Sequence, residues 1–149
     1  MTQPRSQWVR LLSQLPVEQV KQVVEQSIGH LTLSYVQVPD AGLALVTLQD
    51  AAKGEPFYLG EMGLVQSHIQ LSEGDKHYQG YAAVMVDDEN IATLYAVCDA
   101  MLAHQLNGHE ALLALLDTAT AQIEQQQADW QKLLATTMVN FSLLSEAEK

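Results

Sequence analysis

Apolar and polar residues alternate most cleanly over residues 64–71, where Val65, Ser67, Ile69 and Leu71 share one face and Gln66, His68 and Gln70 the other. That period of two predicts a strand with one wet face. Ser72-Glu73-Gly74-Asp75 supplies turn residues, and residues 78–86 are β-branched and aromatic enough to be the returning strand of a hairpin. Asp87 or Asp88 then predicts a helix cap, with a carboxylate set against unpaired N–H groups. Upstream, the β-rich runs 31–38 and 42–48 flank Pro39-Asp40-Ala41 and read as a second hairpin. Residues 49–53 read as a loop and 57–59 as a short strand. The pattern predicts four or five antiparallel strands.

The period changes to that of a helix on both sides of this block. Trp8, Leu11, Leu12 and Leu15 recur at helical spacing over residues 5–15, with Trp8 an amphipathic anchor for the sheet. Pro16 fits the first position of a second helix carrying Val17, Val20 and Val24. Residues 89–106 form a helix with two unlike faces. Ile91, Leu94, Tyr95, Cys98, Met101 and Leu102 make a large stripe expected to lie on the sheet. Ala92, Ala96, Val97, Ala100 and Ala103 make a small one, expected to admit another helix, and Gly108 ends the helix. Residues 109–144 are helical in pattern, with a break expected near Asp117-Thr118 and a long helix from about 118 to 144. Ile123, Trp130, Thr137 and Leu144 recur every seven residues there, a narrow seam suited to one neighbouring helix. The expected architecture is therefore α+β: N-terminal helices, an antiparallel sheet, then C-terminal helices on one face. No strand–helix–strand alternation supports a doubly wound sheet.

Composition narrows the function classes. A chain of 149 residues is expected to be one domain spanning 1–149 and to bury roughly two-thirds of its unfolded surface. No apolar run reaches the length of a membrane span, and the N-terminal MTQPRSQW lacks a signal-peptide core. The lone cysteine fits a reducing cytoplasm. Seven basic residues against eighteen acidic ones give a net charge of −11. Nucleic-acid binding needs a basic patch that this chain cannot assemble, and Trp8 therefore does not belong to a DNA-reading helix pair. A polyphosphate would likewise need positive charge from another subunit or from Mg²⁺.

Candidate chemistry is sparse. Cys98 sits on a buried helical stripe with no neighbouring base to lower its pKa. His30, His68, His77, His104 and His109 form no ligand-like i,i+4 pair, and no metal site is expected. Glu55, Glu61, Asp87, Asp88, Glu89 and Asp99 are carboxylates of the kind that supply acid, base or Mg²⁺ ligands, and equally of the kind that cap helices or face solvent. There is no P-loop, GxGxxG or GxSxG. The residues describe a subunit with coverable helix surface better than a self-sufficient enzyme, and no catalytic, cofactor or metal residue is assigned.

The string Gly54-Glu55-Pro56-Phe57-Tyr58-Leu59-Gly60-Glu61 is followed by a strand, Gly80-Tyr81, Asp88, and then Ala92, Ala96, Asp99 and Ala100 on one helix. With Trp8 near the start and Thr137 and Phe141 near the end, this ordered set resembles the PhnG family of the bacterial carbon–phosphorus lyase system. The resemblance implies an accessory subunit of a core complex with PhnI, PhnH and PhnJ. That complex transfers a phosphonate onto the ribose of ATP with loss of adenine, PhnI being the catalytic partner. It also implies that ATP with Mg²⁺, and an iron–sulfur cluster with S-adenosylmethionine on PhnJ, belong to the complex and not to this chain. Trp8, Gly54, Phe57, Gly60, Glu61, Gly80, Tyr81, Asp88, Asp99, Trp130 and Phe141 are the expected interface or motif residues. Two departures remove positive charge: Val86-Asp87 stands where the family often has Gly-Arg, and Gln66 and Gln70 replace arginines. Two other readings stay open. One is a Mg²⁺-assisted nucleotide hydrolase using Glu55, Glu61 and Asp88; the other is a scaffold that self-associates through its last helix.

Overall fold

The computed structural model of the chain describes residues 3–137. In chain order the elements are α1 (Arg5–Leu12), α2 (Val17–Ile28), β1 (Thr32–Gln49), β2 (Pro56–Glu73), β3 (Lys76–Val84), α3 (Glu89–Ala103) and α4 (His109–Thr137). The architecture is α+β, as the pattern predicts, but the sheet has three strands in the order β1-β2-β3, all antiparallel.

The expected four or five strands are corrected because two predicted breaks are not breaks. Pro39-Asp40-Ala41 is no hairpin turn: β1 passes straight through it, and the pairing with β2 shifts register between Gln37 and Asp40. Proline lacks a ladder donor, and β1 is a sheet edge, where the lost hydrogen bond costs least. The short run 57–59 is likewise the beginning of β2, with Phe57 opposite Leu48 and Tyr58 opposite Thr47. The real β1–β2 turn is the 50–55 loop, where the Asp50 N–H donates to the Glu55 carbonyl at 2.9 Å. The β2–β3 turn matches expectation, with Glu73 opposite Lys76 and Gly74 at φ +57°.

β2 alternates as read. Val65, Ile69 and Leu71 are buried under α3, with Ser67 among them, while Gln66, His68 and Gln70 are half-buried on the far face. Asp88 caps α3, its Oδ1 accepting the Asn90 N–H at 2.8 Å. The helix faces are the reverse of expectation. The small residues meet the sheet: Gly80 of β3 lies directly against Ala96 and Ala100, and the Thr93 hydroxyl is 3.2 Å from that of Ser67. The large residues meet the helices: the Tyr95 hydroxyl donates to the Leu12 carbonyl, and Met101 reaches the α3–α4 connection at Gly108. Small side chains let the helix backbone approach the strand closely, and the larger volumes fill the space that α1, α2 and α4 enclose on the other side.

α3 ends at Ala103, short of the expected Leu106, and Gln105 takes the left-handed conformation at φ 51° before Gly108 does at φ 85°. α4 runs without a break from His109, not from about 118; Leu112, Leu116 and Ala119 seat its first half in the core. The expected end of that helix at 144, and Phe141 with it, lie outside the described residues.

Candidate functional site

Structure distributes most of the expected residues over three places rather than one cleft. The first is a buried junction of α1, α3 and β3. Asp99 is the one acidic residue in the apolar stretch 91–103 and is 4% exposed. A carboxylate so buried must be paired and hydrogen-bonded. Arg5 reaches it from α1 in a two-pronged contact, Nε to Oδ1 at 2.8 Å and Nη2 to Oδ2 at 2.6 Å, and the Tyr81 backbone N–H adds a third bond to Oδ2 at 3.0 Å. The hydrogen bonds to Asp99 raise the Arg5 pKa above its ordinary value, against the lowering effect of burial. Trp8, one turn along α1, is buried and donates its indole N–H to the Gln3 carbonyl at 2.9 Å. Gly80, Tyr81, Asp99 and Trp8 are thus brought to one region of the core and its rim. An open cleft of about 520 Å³ lies beside it, lined by Arg5, Val9, Tyr81 and Ala83.

The Tyr81 side chain points away from this junction, to the uncovered face of the sheet. Its hydroxyl donates to Gln66 Oε1 at 3.0 Å, and the His68 ring stands edge-on to it at 6.2 Å between centroids. Asp88 is elsewhere, engaged as the α3 cap.

The second place is the far half of the β1–β2 hairpin. β3 pairs with β2 only from Val65 to Glu73, so beyond that point β1 and β2 continue as a two-stranded ribbon from Gly42 opposite Leu64 to Gln49 opposite Pro56. Gly54, with φ +70°, sits in its loop, and Phe57, Gly60 and Glu61 lie along β2. The ribbon is exposed and apolar: Leu43 is 71% exposed, Leu45 61%, Tyr58 67% and Leu59 63%. Leu43 and Leu45 continue the face that α3 covers further down. The third place is the distal half of α4, where Trp130 is exposed beside a cleft of about 470 Å³ shared with Arg10, Gln14 and Ile123.

These places do not form a reaction centre among the described residues. Among the described residues no three His, Cys, Asp or Glu side chains come together as metal ligands. Glu55 and Glu61 are exposed on the ribbon, whereas Asp88 caps α3. Cys98 is fully buried, and burial pushes its thiol pKa well up, the opposite of a nucleophile's requirement. No helix among the described residues is long and apolar enough to cross a membrane.

The family model for phosphonate metabolism protein PhnG matches residues 3–145 of this chain. The chain belongs to the PhnG family. Among curated proteins it is similar to the alpha-D-ribose 1-methylphosphonate 5-triphosphate synthase subunit PhnG of Rhizobium meliloti (strain 1021), with 25% identity over 143 residues, covering 88% of each chain. Membership spans both the Asp99 junction and the ribbon. Nothing local in the sequence marks Arg5, a single cation on an N-terminal helix; the signal for it is Asp99, a lone acid on a helix otherwise too apolar to leave it unpaired. Leu43 and Leu45 were legible only as strand residues, because an exposed two-stranded ribbon and a buried strand share the same composition.

Proposed function

We propose that this chain is a non-catalytic subunit of a ribose 1-methylphosphonate 5-triphosphate synthase, working in the breakdown of organic phosphonates as a phosphorus source. In that reaction the phosphonate oxygen bonds to the anomeric carbon of the ATP ribose, and adenine leaves. PhnI, PhnH and PhnJ homologues are the partners, and the setting is the cytoplasm. The observation that carries this reading is the family match over nearly the whole chain, together with the name of the Rhizobium relative. Charge supports the accessory role: at −11, this chain repels a triphosphate, so the positive charge that holds ATP belongs to Mg²⁺ or to another subunit. The carboxylates proposed for a self-contained Mg²⁺ hydrolase do not converge as a ligand set among the described residues, which favours the subunit reading over that alternative.

The test is reconstitution. PhnI, PhnH and PhnJ homologues from the same source, together with a PhnL homologue, the further protein this step needs, are given ATP, Mg²⁺ and methylphosphonate. They should form ribose 1-methylphosphonate 5-triphosphate only when this chain is present, and the chain should co-purify with the first three. Full activity without it, or ATP turnover by the isolated chain that is lost on Glu61→Gln, would overturn the assignment.

A further inference from the structure

The distal ribbon, residues 42–49 and 56–64, violates three rules that an isolated protein surface obeys. Two antiparallel strands with nothing stacked on them are marginal in water, yet this pair, uncovered by any other element among the described residues, extends roughly 25 Å beyond the third strand at the usual rise per residue. Side chains on both sides of it are apolar and open: Leu43 and Leu45 on the α3 side, with Phe57, Tyr58 and Leu59 further out. Exposed edges are normally blunted by charge, but residues 41–49, Ala-Gly-Leu-Ala-Leu-Val-Thr-Leu-Gln, contain none, and the outer edge of β1 is unpaired among the described residues. Such a segment is stable and safe from aggregation only when covered.

Charge decides what covers it. The ribbon and its loop carry Asp50, Glu55 and Glu61 against the single cation Lys53, on a chain of net charge −11. A second copy would bring the same acidic rim and the same net repulsion to the contact. A different chain with an apolar groove and a basic rim is complementary on both counts. We propose that this ribbon is the docking arm of the chain, inserted between the walls of an apolar groove with basic residues at its mouth on a non-identical subunit. The inference rests on the subunit reading above and adds to it the surface and the chemistry of the partner. The body keeps its own core through α3 and the helices packed on it, so the arm is separable from folding.

The test uses the full chain co-expressed with the PhnI, PhnH and PhnJ homologues and analysed by gel filtration and titration. Leu43→Ser/Leu45→Ser/Tyr58→Ser changes only exposed side chains. It should leave the melting temperature of the pure chain unchanged while weakening the complex by roughly tenfold or more. Asp50→Asn/Glu55→Gln/Glu61→Gln should weaken binding at low salt and flatten its salt dependence. Hydrogen exchange should be fast in the ribbon of the free chain and slowed in the complex. If the serine variant binds as the parent does, the arm is wrong and the subunit reading survives. If the parent chain itself fails to join the other subunits, the subunit reading fails and takes the arm with it. A pure chain that dimerises through the ribbon, or a neutralised rim that binds unchanged, would overturn the choice of a basic, non-identical partner.

Discussion

Gly80 and Asp99 show how much a single position decides here. A Cβ on Gly80 would collide with the Ala96 carbonyl oxygen and come within 2.7 Å of the Ala100 amide nitrogen, both of them backbone atoms that cannot swing aside. Gly80→Ala should therefore destabilise the fold by about 2–3 kcal/mol, the upper part of the range typical of overpacking, because backbone atoms must shift. Gly60→Ala, where nothing lies within 4 Å of the new atom, should change the melting temperature little. Equal melting temperatures for the two variants would show that α3 does not pack this closely on β3. At Asp99, the asymmetry of burial sets the sign of the comparison: its side chain is 6% exposed and that of Arg5 is 57% exposed. Arg5→Met strands a buried carboxylate with one N–H partner and should cost about 2 kcal/mol, with solvent access at Arg5 keeping the figure below that of a fully buried pair. Asp99→Asn removes the charge but keeps an acceptor and should cost less. Denaturant melts of both variants check the order. The need for a partner at Asp99 was legible in the sequence, since an isolated acid cannot stay charged in an apolar helix. The partner's identity was not, because Arg5 is ninety-four positions away and only the packing of α1 on α3 brings it there.

Among the elements, β1 and α3 depart furthest from their local signals, and for opposite reasons. β1 contains a proline and an Asp-Ala pair that normally stop a strand, yet it continues as one strand and pairs with β2 on both sides of the register shift between Gln37 and Asp40. The cost of Pro39 is small because it falls in the register shift between Gln37 and Asp40, where no residue of β2 pairs with it. α3 has apolar residues nearly all round, so its periodicity predicts burial without saying which side meets what. The same reasoning ranks local stability. Amides of β2 between Val65 and Leu71, paired on both sides and covered by α3, should exchange with solvent only on global unfolding. Those at 57–64, paired on one side and uncovered, should exchange orders of magnitude faster. Uniform protection along β2 in the isolated chain, followed by mass spectrometry, would contradict the structural division between body and ribbon.

For the molecule as a whole, the dominant electrostatic facts are a strongly negative surface and a core that holds two weak acids neutral. Burial raises the pKa of both Cys98 and Tyr95, so the folded chain keeps protons that the unfolded chain gives up at ordinary thiol and phenol values, about 8.5 and 10. Their contribution to stability is complete below those values and is lost progressively as the pH rises from them toward the raised values of the folded chain, at up to about 1.4 kcal/mol per pH unit for each group. Stability should therefore fall above about pH 9, and Cys98→Ala should reduce the slope between pH 9 and 10. A parent-like slope in that variant, measured by urea melts at each pH, would count against the buried thiol. What the sequence determined by itself is what local periodicity and simple summation determine: an α+β order of elements, the wet and dry faces of β2, an aspartate cap at 87 or 88, the Gly74 turn, and a net charge of −11. Tertiary structure alone decided which face of α3 lies on the sheet, that residues 32–49 form one strand, that Arg5 closes on Asp99, and that half the central hairpin stands clear of the core. The reason is the same in each case. Periodicity records that a residue expects to be covered, whereas what covers it depends on the volumes and charges of segments far away along the chain.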